Sequence, residues 1–333
     1  MNQNTIEKMI NAMKIAADDV VLLNYWSEGD DSDLKLFENE LSYKGINYKT
    51  LNFTEEFLIE LAGKGAENID GSFFEPVKDC TMVIDVLQRP AGMPPRGLEK
   101  DKYADFSMVL RSLFSFMSSH EKLIQITMPS QTNAALAGED YEEYKVRMDK
   151  ALNIDYEALA LECQKKIDSF TSNIITIRTG EDSTLTMDVT GREWIIDAGE
   201  GAFPCGEIYI APLEDKTNGT VFYKNLFIED VGSFDNITIT IKNGRVTDSD
   251  CDAFNELLSG QEEGARIVGE LGIGMNPAVV YSGKGAALDE DALGTFHIGL
   301  GMNYLFGGTN KARFHMDFVN VGVILGQSLF LCD

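Results

Sequence analysis

The segment 19-DVVLLNYW-26 and the elements after it decide the predicted fold of this chain of 333 residues. The run is short, apolar and β-branched, as is typical of a strand buried on both faces. A helical pattern at about 32–44 and a second extended segment, 46-INYKTLNF-53, come next. The alternation continues with helices at about 55–64 and 103–118 and strands at 81-TMVIDVL-87 and 122-KLIQITMP-129. Such alternation predicts an α/β domain whose mainly parallel sheet is covered by helices.

Three segments depart from the regular alternation of strands and helices. Residues 5–17 carry apolar side chains at helical spacing, which predicts a helix before the first strand. The loop 89-RPAGMPPRG-97 must be irregular, because its prolines block helix and ladder hydrogen bonds. Residues 138–171 are rich in Glu, Lys, Leu and Ala, and predict two helices.

The sequence changes in character near residue 172. The segments after this point have strand composition and are separated by turn residues. In the clearest hairpin, 236-NITITI-241 pairs with 245-RVTDSD-250, because Asn243–Gly244 supplies the positive φ angles of a tight turn. We therefore predict an α/β N-terminal domain over residues 1–172 and a β-rich α+β C-terminal domain over residues 173–333.

The formal charge of −26 restricts the partners of this protein. Nucleic acids and anionic lipids require a basic surface, so binding to either is not expected. An acidic surface could attract a cationic ligand such as a free amino terminus, although a merely solvated acidic surface is the more common explanation. No stretch reaches eighteen uninterrupted apolar residues, so no membrane span is expected.

The cysteines and the amino terminus indicate the compartment. Five cysteines are spread along the chain without a CxxC pair, which favours reduced thiols over a disulfide framework or a thiolate zinc site. The first residues contain acidic side chains and no apolar run, unlike a signal peptide. We predict a cytoplasmic protein.

Five potential metal ligands lie in the second half of the chain. His297 is in 294-GTFHIGLGMNY-304, while His315 and Asp317 are in 313-RFHMDFV-319. Residues two apart on a strand project from the same face, so His315 and Asp317 could reach one ion or two adjacent ions. Glu207 in 203-FPCGEIYIAP-212 and Glu270 in 269-GELGIGMNP-277 have few charged neighbours. This inventory suits one or two divalent metals.

Each of these residues also has an ordinary structural interpretation. A histidine in an apolar strand is often half-buried and bonded to backbone, and a lone HxD triplet is a weak signal. Either glutamate could face water from an edge strand. A buried carboxylate is costly unless it is paired or bound to metal, however, and four such segments in one domain favour a shared site.

The segments CGEIYIAP, ARIVGELGIGMNP, GTFHIGLGMNY and FHMD resemble, in order, the metal-site motifs of the M29 metallo-aminopeptidases over about residues 200–320. The resemblance implies that Glu207, Glu270, His297, His315 and Asp317 bind two divalent ions, Zn, Co or Mn. It also places Tyr304 at the position of the family's catalytic tyrosine. The implied activity is removal of amino-terminal residues from short peptides by an activated water, with Glu207 or Glu270 moving a proton. A homodimer is implied too.

Two alternatives stay open. The chain also resembles 2,5-dihydroxypyridine 5,6-dioxygenase, a ring-cleaving enzyme with a single Fe(II) and a histidine ligand where this chain has Glu270. A carboxylate at that position suits a second hydrolytic metal better than a two-histidine, one-carboxylate iron site. The other alternative is a non-catalytic relative that keeps the fold and binds only peptide or metal.

Overall fold

The computed structural model describes residues 1–65, 71–228, 231–283 and 288–325. It divides into two compact units. The first comprises Met1–Tyr156 with Gly199–Cys205, and the second comprises Glu157–Ala198 with Gly206–Asp333. The domain boundary that the sequence places near residue 172 stays a prediction.

The helices and strands are numbered along the chain. The helices are α1 (Gln3–Ala12), α2 (Ser32–Tyr43), α3 (Glu55–Lys64), α4 (Gly71–Phe74), α5 (Tyr103–Met117), α6 (Gln131–Leu136), α7 (Tyr141–Leu152), α8 (Tyr156–Asp168) and α9 (Asp252–Ser259). The strands are β1 (Val20–Trp26), β2 (Asn47–Asn52), β3 (Met82–Leu87), β4 (Lys122–Thr127), β5 (Ile174–Thr179), β6 (Ser183–Asp188), β7 (Ile195–Asp197), β8 (Ala202–Phe203), β9 (Glu207–Ile210), β10 (Asn218–Ile228), β11 (Gly232–Lys242), β12 (Arg245–Ser249), β13 (Val268–Gly274), β14 (Thr295–Gly301), β15 (His315–Val321) and β16 (Val323–Leu325).

The first unit is an α/β structure around a parallel sheet of order β2-β1-β3-β4-β8. Strand β1 is buried almost throughout, as its apolar run predicts. The Trp26 ring stacks on Phe53 with centroids 4.3 Å apart, and both belong to the core beneath α3 and α5. The short strand β8 comes from far along the chain and extends the sheet beyond β4.

The second unit is built on two antiparallel sheets. One has the order β12-β11-β10-β6-β5-β16, and the other has the order β15-β14-β13-β9-β7. Leu271 of β13, Ile298 of β14 and Phe318 of β15 join a core with Val221 of β10 and Ile239 of β11. Because side chains alternate along a strand, the residues between them project from the opposite face of the five-stranded sheet.

The α/β and β-rich classes predicted for the two halves are confirmed, and so is the hairpin of β11 and β12. The predicted helix over residues 5–17 is too long: α1 ends at Ala12, and Lys14 has a φ of +49°, which a right-handed helix cannot contain. The four described cysteines, Cys80, Cys163, Cys205 and Cys251, form no disulfide bond. Cys332 lies outside the described residues. Within the described ranges, no helix is long and apolar enough to cross a membrane.

Candidate metal centre

The five predicted ligands converge on one face of the five-stranded sheet in the second unit. Glu207 begins β9, Glu270 lies in β13, His297 lies in β14, and β15 carries His315 and Asp317. Their apolar neighbours along the strands face the core, so strand alternation directs these polar side chains to the other face. Four adjacent strands thus bring together residues that are up to 110 positions apart in sequence.

Glycines on the same face make room for these side chains. Gly272 is the register partner of His297, and Gly299 lies between Glu270 and Asp317 in the ladder. A Cβ atom at Gly272 would overlap the His297 ring. A Cβ at Gly299 would lie 2.6 Å from the Glu270 Cβ and 2.7 Å from Asp317 Oδ1. Only a residue without a side chain leaves the space that the cluster occupies.

The potential ligand atoms form two groups that share Glu270. In the first group, His297 Nε2 lies 3.3 Å from Glu207 Oε2 and 3.3 Å from Glu270 Oε1. In the second, His315 Nε2 lies 3.4 Å from Glu270 Oε2 and 3.3 Å from Asp317 Oδ2. Within each group, the ligand atoms all lie within 4.8 Å of one another. The two oxygens of Glu270 therefore face different histidines.

Burial and like charges shift the pKa values of the carboxyl groups. Burial raises the pKa of Glu207 well above its usual range, while His297 opposes that shift and the carboxylates of Glu290 and Glu270 add to it. The pKa of Asp317 is lowered: burial would raise it, but a hydrogen bond from His315 and the charge of His297 outweigh that effect. The cluster thus concentrates negative charge that needs positive charge close by.

The pKa values of both histidines are raised by the carboxylates around them. Burial alone would lower the pKa of His315, but the hydrogen bond with Asp317 and the charges of Asp317 and Glu270 raise it to about 9. The pKa of His297 is also raised, because Glu270, Glu207 and Asp317 outweigh its complete burial. Both imidazoles thus lie where the surrounding carboxylates favour positive charge.

Unsatisfied polar atoms indicate that these residues fit divalent metal ions. Glu207 Oε2 and Asp317 Oδ1 are buried without a hydrogen-bond partner, a condition that is unfavourable in a folded protein. The Nδ1–H of His315 donates to the Met302 carbonyl at 2.8 Å, which leaves Nε2 to face the carboxylates. Such a backbone partner is the usual way to orient a metal-binding histidine.

Tyr304 lies apart from these contacts. It begins a 3-10 turn, Tyr304–Phe306, which follows β14. Its side chain is about half exposed, and the Lys311 ammonium lies 4.0 Å from its ring centre. Among the described residues, its hydroxyl has no hydrogen-bond partner. Phe306, in the same turn, packs edge-on against the His315 ring, so the turn borders the cluster.

The structure adds acidic residues that the sequence analysis missed. Glu290 and Asp291 lie in the turn that precedes β14. The pKa of Glu290 is raised to about 7, because burial and the charges of Asp317 and Glu270 outweigh the opposing effect of the two histidines. The pKa of Asp291 is raised well above its usual range by burial and by Glu290 and Glu207. The only signal in the sequence was 288-LDED-291, which is also typical of a solvated loop.

Comparisons with known proteins place this arrangement in a family. The model of the thermophilic metalloprotease (M29) family matches residues 117–320, which include all five ligand candidates and Tyr304. A search of curated protein sequences finds no match.

Two solved structures have a similar fold. AmpT from Thermus thermophilus has a TM-score of 0.61 and 16% identity, over 95% of this chain and 92% of that chain. The 2,5-dihydroxypyridine dioxygenase from Pseudomonas putida KT2440 has a TM-score of 0.60 and 13% identity, over 97% and 93%. At these identities the two likenesses show the fold alone. The family match covers more than half of the chain, and this protein belongs to the thermophilic metalloprotease (M29) family, whose members are metallopeptidases that use divalent metal.

Proposed function

We propose that this protein is an aminopeptidase that removes amino-terminal residues from short peptides with two divalent ions. The observation that carries the proposal is the position of Glu270, whose two oxygens lie 3.3 and 3.4 Å from the Nε2 atoms of two different histidines. A site for one ion has no need of a carboxylate between two ligand groups. Here the shared carboxylate completes both.

In this proposal, Glu207, Glu270 and His297 would hold one ion. Glu270, His315 and Asp317 would hold the other. Two divalent ions in such a site supply an activated water and polarise a peptide carbonyl. The protein fixes its ligands beforehand, because strand pairing sets their positions and the Met302 carbonyl fixes the His315 ring.

Other residues act on the substrate and its protons. Tyr304 donates a hydrogen bond to the oxyanion that forms at the scissile carbonyl, and its half-exposed position leaves the hydroxyl available to a peptide. Glu207 or Glu270 passes a proton to the leaving amine. Both are ligands in the proposal, so this role requires one carboxylate oxygen to be free at that step.

Several finer properties belong to the same proposal. Zinc, cobalt or manganese is expected, because imidazole and carboxylate ligands suit all three. The cytoplasm is the proposed location, on the basis of the cysteines and the acidic composition. The homodimer rests on the family resemblance alone.

Metal analysis combined with two activity assays tests the proposal. Two Zn, Co or Mn ions per chain, together with release of the chromogenic amine from leucine p-nitroanilide, would support it. One Fe(II) with oxygen uptake on a dihydroxypyridine would establish the dioxygenase instead. A folded protein that has neither metal nor turnover would be the non-catalytic relative.

A further inference from the structure

We propose that Glu214, paired with Arg192, is a positioning residue that holds the Tyr304 hydroxyl in place for the reaction. This inference rests on the proposed aminopeptidase function, in which Tyr304 donates a hydrogen bond to the oxyanion. Tyr304 belongs to the connection between β14 and β15, and residues 303–310 of that connection are called the Tyr304 loop. The Glu214–Arg192 pair and the loop all belong to the second unit.

Hydrogen bonds within the Tyr304 loop join its two ends. The N–H groups of Asn303 and Tyr304 both donate to the Asn310 carbonyl, each at 3.1 Å. The Asn303 side-chain oxygen accepts from the Asn310 N–H at 2.8 Å. The Asn303 carbonyl accepts from the Phe306 and Gly308 N–H groups, at 3.2 and 2.9 Å. Asn303 is completely buried, so the residue directly before Tyr304 is the centre of the loop's hydrogen bonds.

The Glu214 carboxylate binds this loop from outside it. Its Oε1 atom accepts from Asn303 Nδ2 at 3.1 Å and from the Thr309 N–H at 2.6 Å. One oxygen of Glu214 therefore contacts both ends of the loop. Burial would raise the pKa of Glu214, but the hydrogen bonds from Thr309 and Asn303 outweigh that effect and lower it. The acceptor is thus a charged group, whose hydrogen bonds are about twice as strong as neutral ones.

Arg192 fixes Glu214 and also contacts the loop itself. Its Nη2 atom donates to Glu214 Oε2 at 2.7 Å, and its Nη1 atom donates to the Gly307 carbonyl. The side chains of Arg192 and Glu214 are only 11% and 19% exposed. An ion pair that is largely buried is screened by salt much less than a pair on the surface. The Glu214–Arg192 pair therefore holds the loop at Asn303, Gly307 and Thr309.

The position of the Tyr304 hydroxyl depends on this loop. Among the described residues, the hydroxyl has no hydrogen-bond partner of its own, and the side chain is about half exposed. Phe306, two residues further along the loop, packs edge-on against the His315 ring with centroids 5.9 Å apart. A group that acts on a transition state must be held to within about 0.5 Å of its working position. Glu214 thus acts on the reaction through the backbone of the loop, without touching the substrate.

The test combines kinetics with amide hydrogen exchange. Turnover of leucine p-nitroanilide, metal content and exchange over residues 303–310 would be measured for the natural chain, Glu214→Ala and Glu214→Gln. Glu214→Ala would also be combined with Tyr304→Phe. Glu139→Gln is the control, because Glu139 forms a similar two-bond ion pair with Arg147 in the first unit, at 3.2 and 2.6 Å.

We expect Glu214→Ala to lower kcat by about 10- to 100-fold, because a misplaced catalytic group costs up to about that much, and to leave KM and metal content unchanged. Glu214→Gln keeps an oxygen that can accept from the loop, so it should recover part of the loss. In Tyr304→Phe no hydroxyl is left to position, so adding Glu214→Ala should cause no further fall in kcat.

The exchange measurement reports on the loop without depending on activity. Amide exchange over residues 303–310 should become faster in Glu214→Ala, because the Thr309 N–H loses its acceptor there. It should stay unchanged in Glu139→Gln. If Glu214→Ala does not fold, Glu214→Gln takes its place in every comparison.

Three outcomes would overturn the inference. Unchanged exchange in Glu214→Ala would show that Glu214 does not hold the loop. An equal fall in kcat with and without the Tyr304 hydroxyl would show that Glu214 acts through another group. Loss of metal would show that it supports the ligand cluster instead. If the natural chain, loaded with metal, did not cleave leucine p-nitroanilide, the proposed function itself would fail, whereas normal cleavage with unchanged kcat in Glu214→Ala would refute this inference alone.

Discussion

The two units of this protein bury carboxyl groups in opposite ways. In the first unit, Asp85 of β3 is completely buried, and its oxygens accept hydrogen bonds from Trp26 Nε1 at 2.6 Å and Gln125 Nε2 at 3.3 Å. In the second unit, Glu207 and Asp317 each keep a buried oxygen without a hydrogen-bond partner. Neutral donors satisfy the first carboxyl group, whereas the second set faces other carboxylates and two imidazoles.

The same contrast holds at the end of the parallel sheet, where α/β proteins commonly bind ligands. The Gln88 side chain there accepts from the Glu28 N–H and donates to the Asp30 carbonyl, at 3.0 and 2.9 Å. Glu28 in turn accepts from the N–H groups of Gln131 and Thr132 at the start of α6. The polar groups of these loops thus form hydrogen bonds with one another. The comparison teaches that a convergence of carboxyl groups and imidazoles, rather than fold type, distinguishes the candidate functional face in this protein.

Removing Glu270 should have the largest effect, because it belongs to both ligand groups. We expect Glu270→Ala to bind neither ion firmly and to lose more than about a thousandfold in turnover, since even a residue behind a ligand contributes about 10- to 100-fold. Metal content and peptide hydrolysis measure the effect. Asp85→Asn is the matched control at a satisfied carboxyl group. Two firmly bound ions in Glu270→Ala would refute the shared-carboxylate arrangement.

Substitution of Tyr304 should affect chemistry alone. We expect Tyr304→Phe to lower kcat by about 100- to 1000-fold, the effect of losing one oxyanion donor, and to leave metal content unchanged. Tyr43→Phe, at an exposed tyrosine of the first unit, should change neither quantity. Loss of metal from Tyr304→Phe would contradict the separation between ligands and oxyanion donor.

Adding a methyl group at Gly272 should displace the His297 ring from its position in the cluster. A Cβ there overlaps the His297 ring, so we expect Gly272→Ala to weaken metal binding and to destabilise the fold by about 3 kcal/mol. Gly260→Ala is the control, because a Cβ there has its nearest neighbour at 3.7 Å and Gly260 has an ordinary negative φ. Denaturant unfolding and metal titration would measure both effects. Unchanged metal affinity in Gly272→Ala would show that the ring has room to move.

The smallest effect is expected for Asp85→Asn, which should change only the free energy of unfolding. Burial raises the pKa of Asp85 to about 6 from its ordinary 3.8. Its protonated form is therefore favoured in the fold, so stability is lost as the pH rises from about 4 to about 6 and stays lost above that range. We expect Asp85→Asn to gain at most about 3 kcal/mol at neutral pH and to show almost no gain below pH about 4.

Unfolding by denaturant at acidic and neutral pH measures that difference. A gain of the same size at both pH values would show that the effect does not come from ionisation of Asp85. Metal content should not change at either pH, because Asp85 is satisfied by neutral donors.

Local patterns accounted for much of this protein. The apolar runs of β1 and β3 predicted buried parallel strands, and Asn243–Gly244 predicted the hairpin of β11 and β12. The residues of the second half supplied five ligand candidates, the family resemblance assigned them to one site, and they meet on one face of a sheet. Helix α6 and strand β8 were missed, because six residues and two residues are too short to show a period.

The sequence by itself determined which elements form and which residues can bind metal, because side-chain period and ligand chemistry are local properties. Only the tertiary structure decided that Glu270 lies between two histidines and that Gly272 and Gly299 leave space around them. It also brought Glu290 to the cluster from an acidic turn of ordinary composition. These relations depend on strand order and register, which pair residues that are distant in sequence, and no pattern within a single segment carries that information.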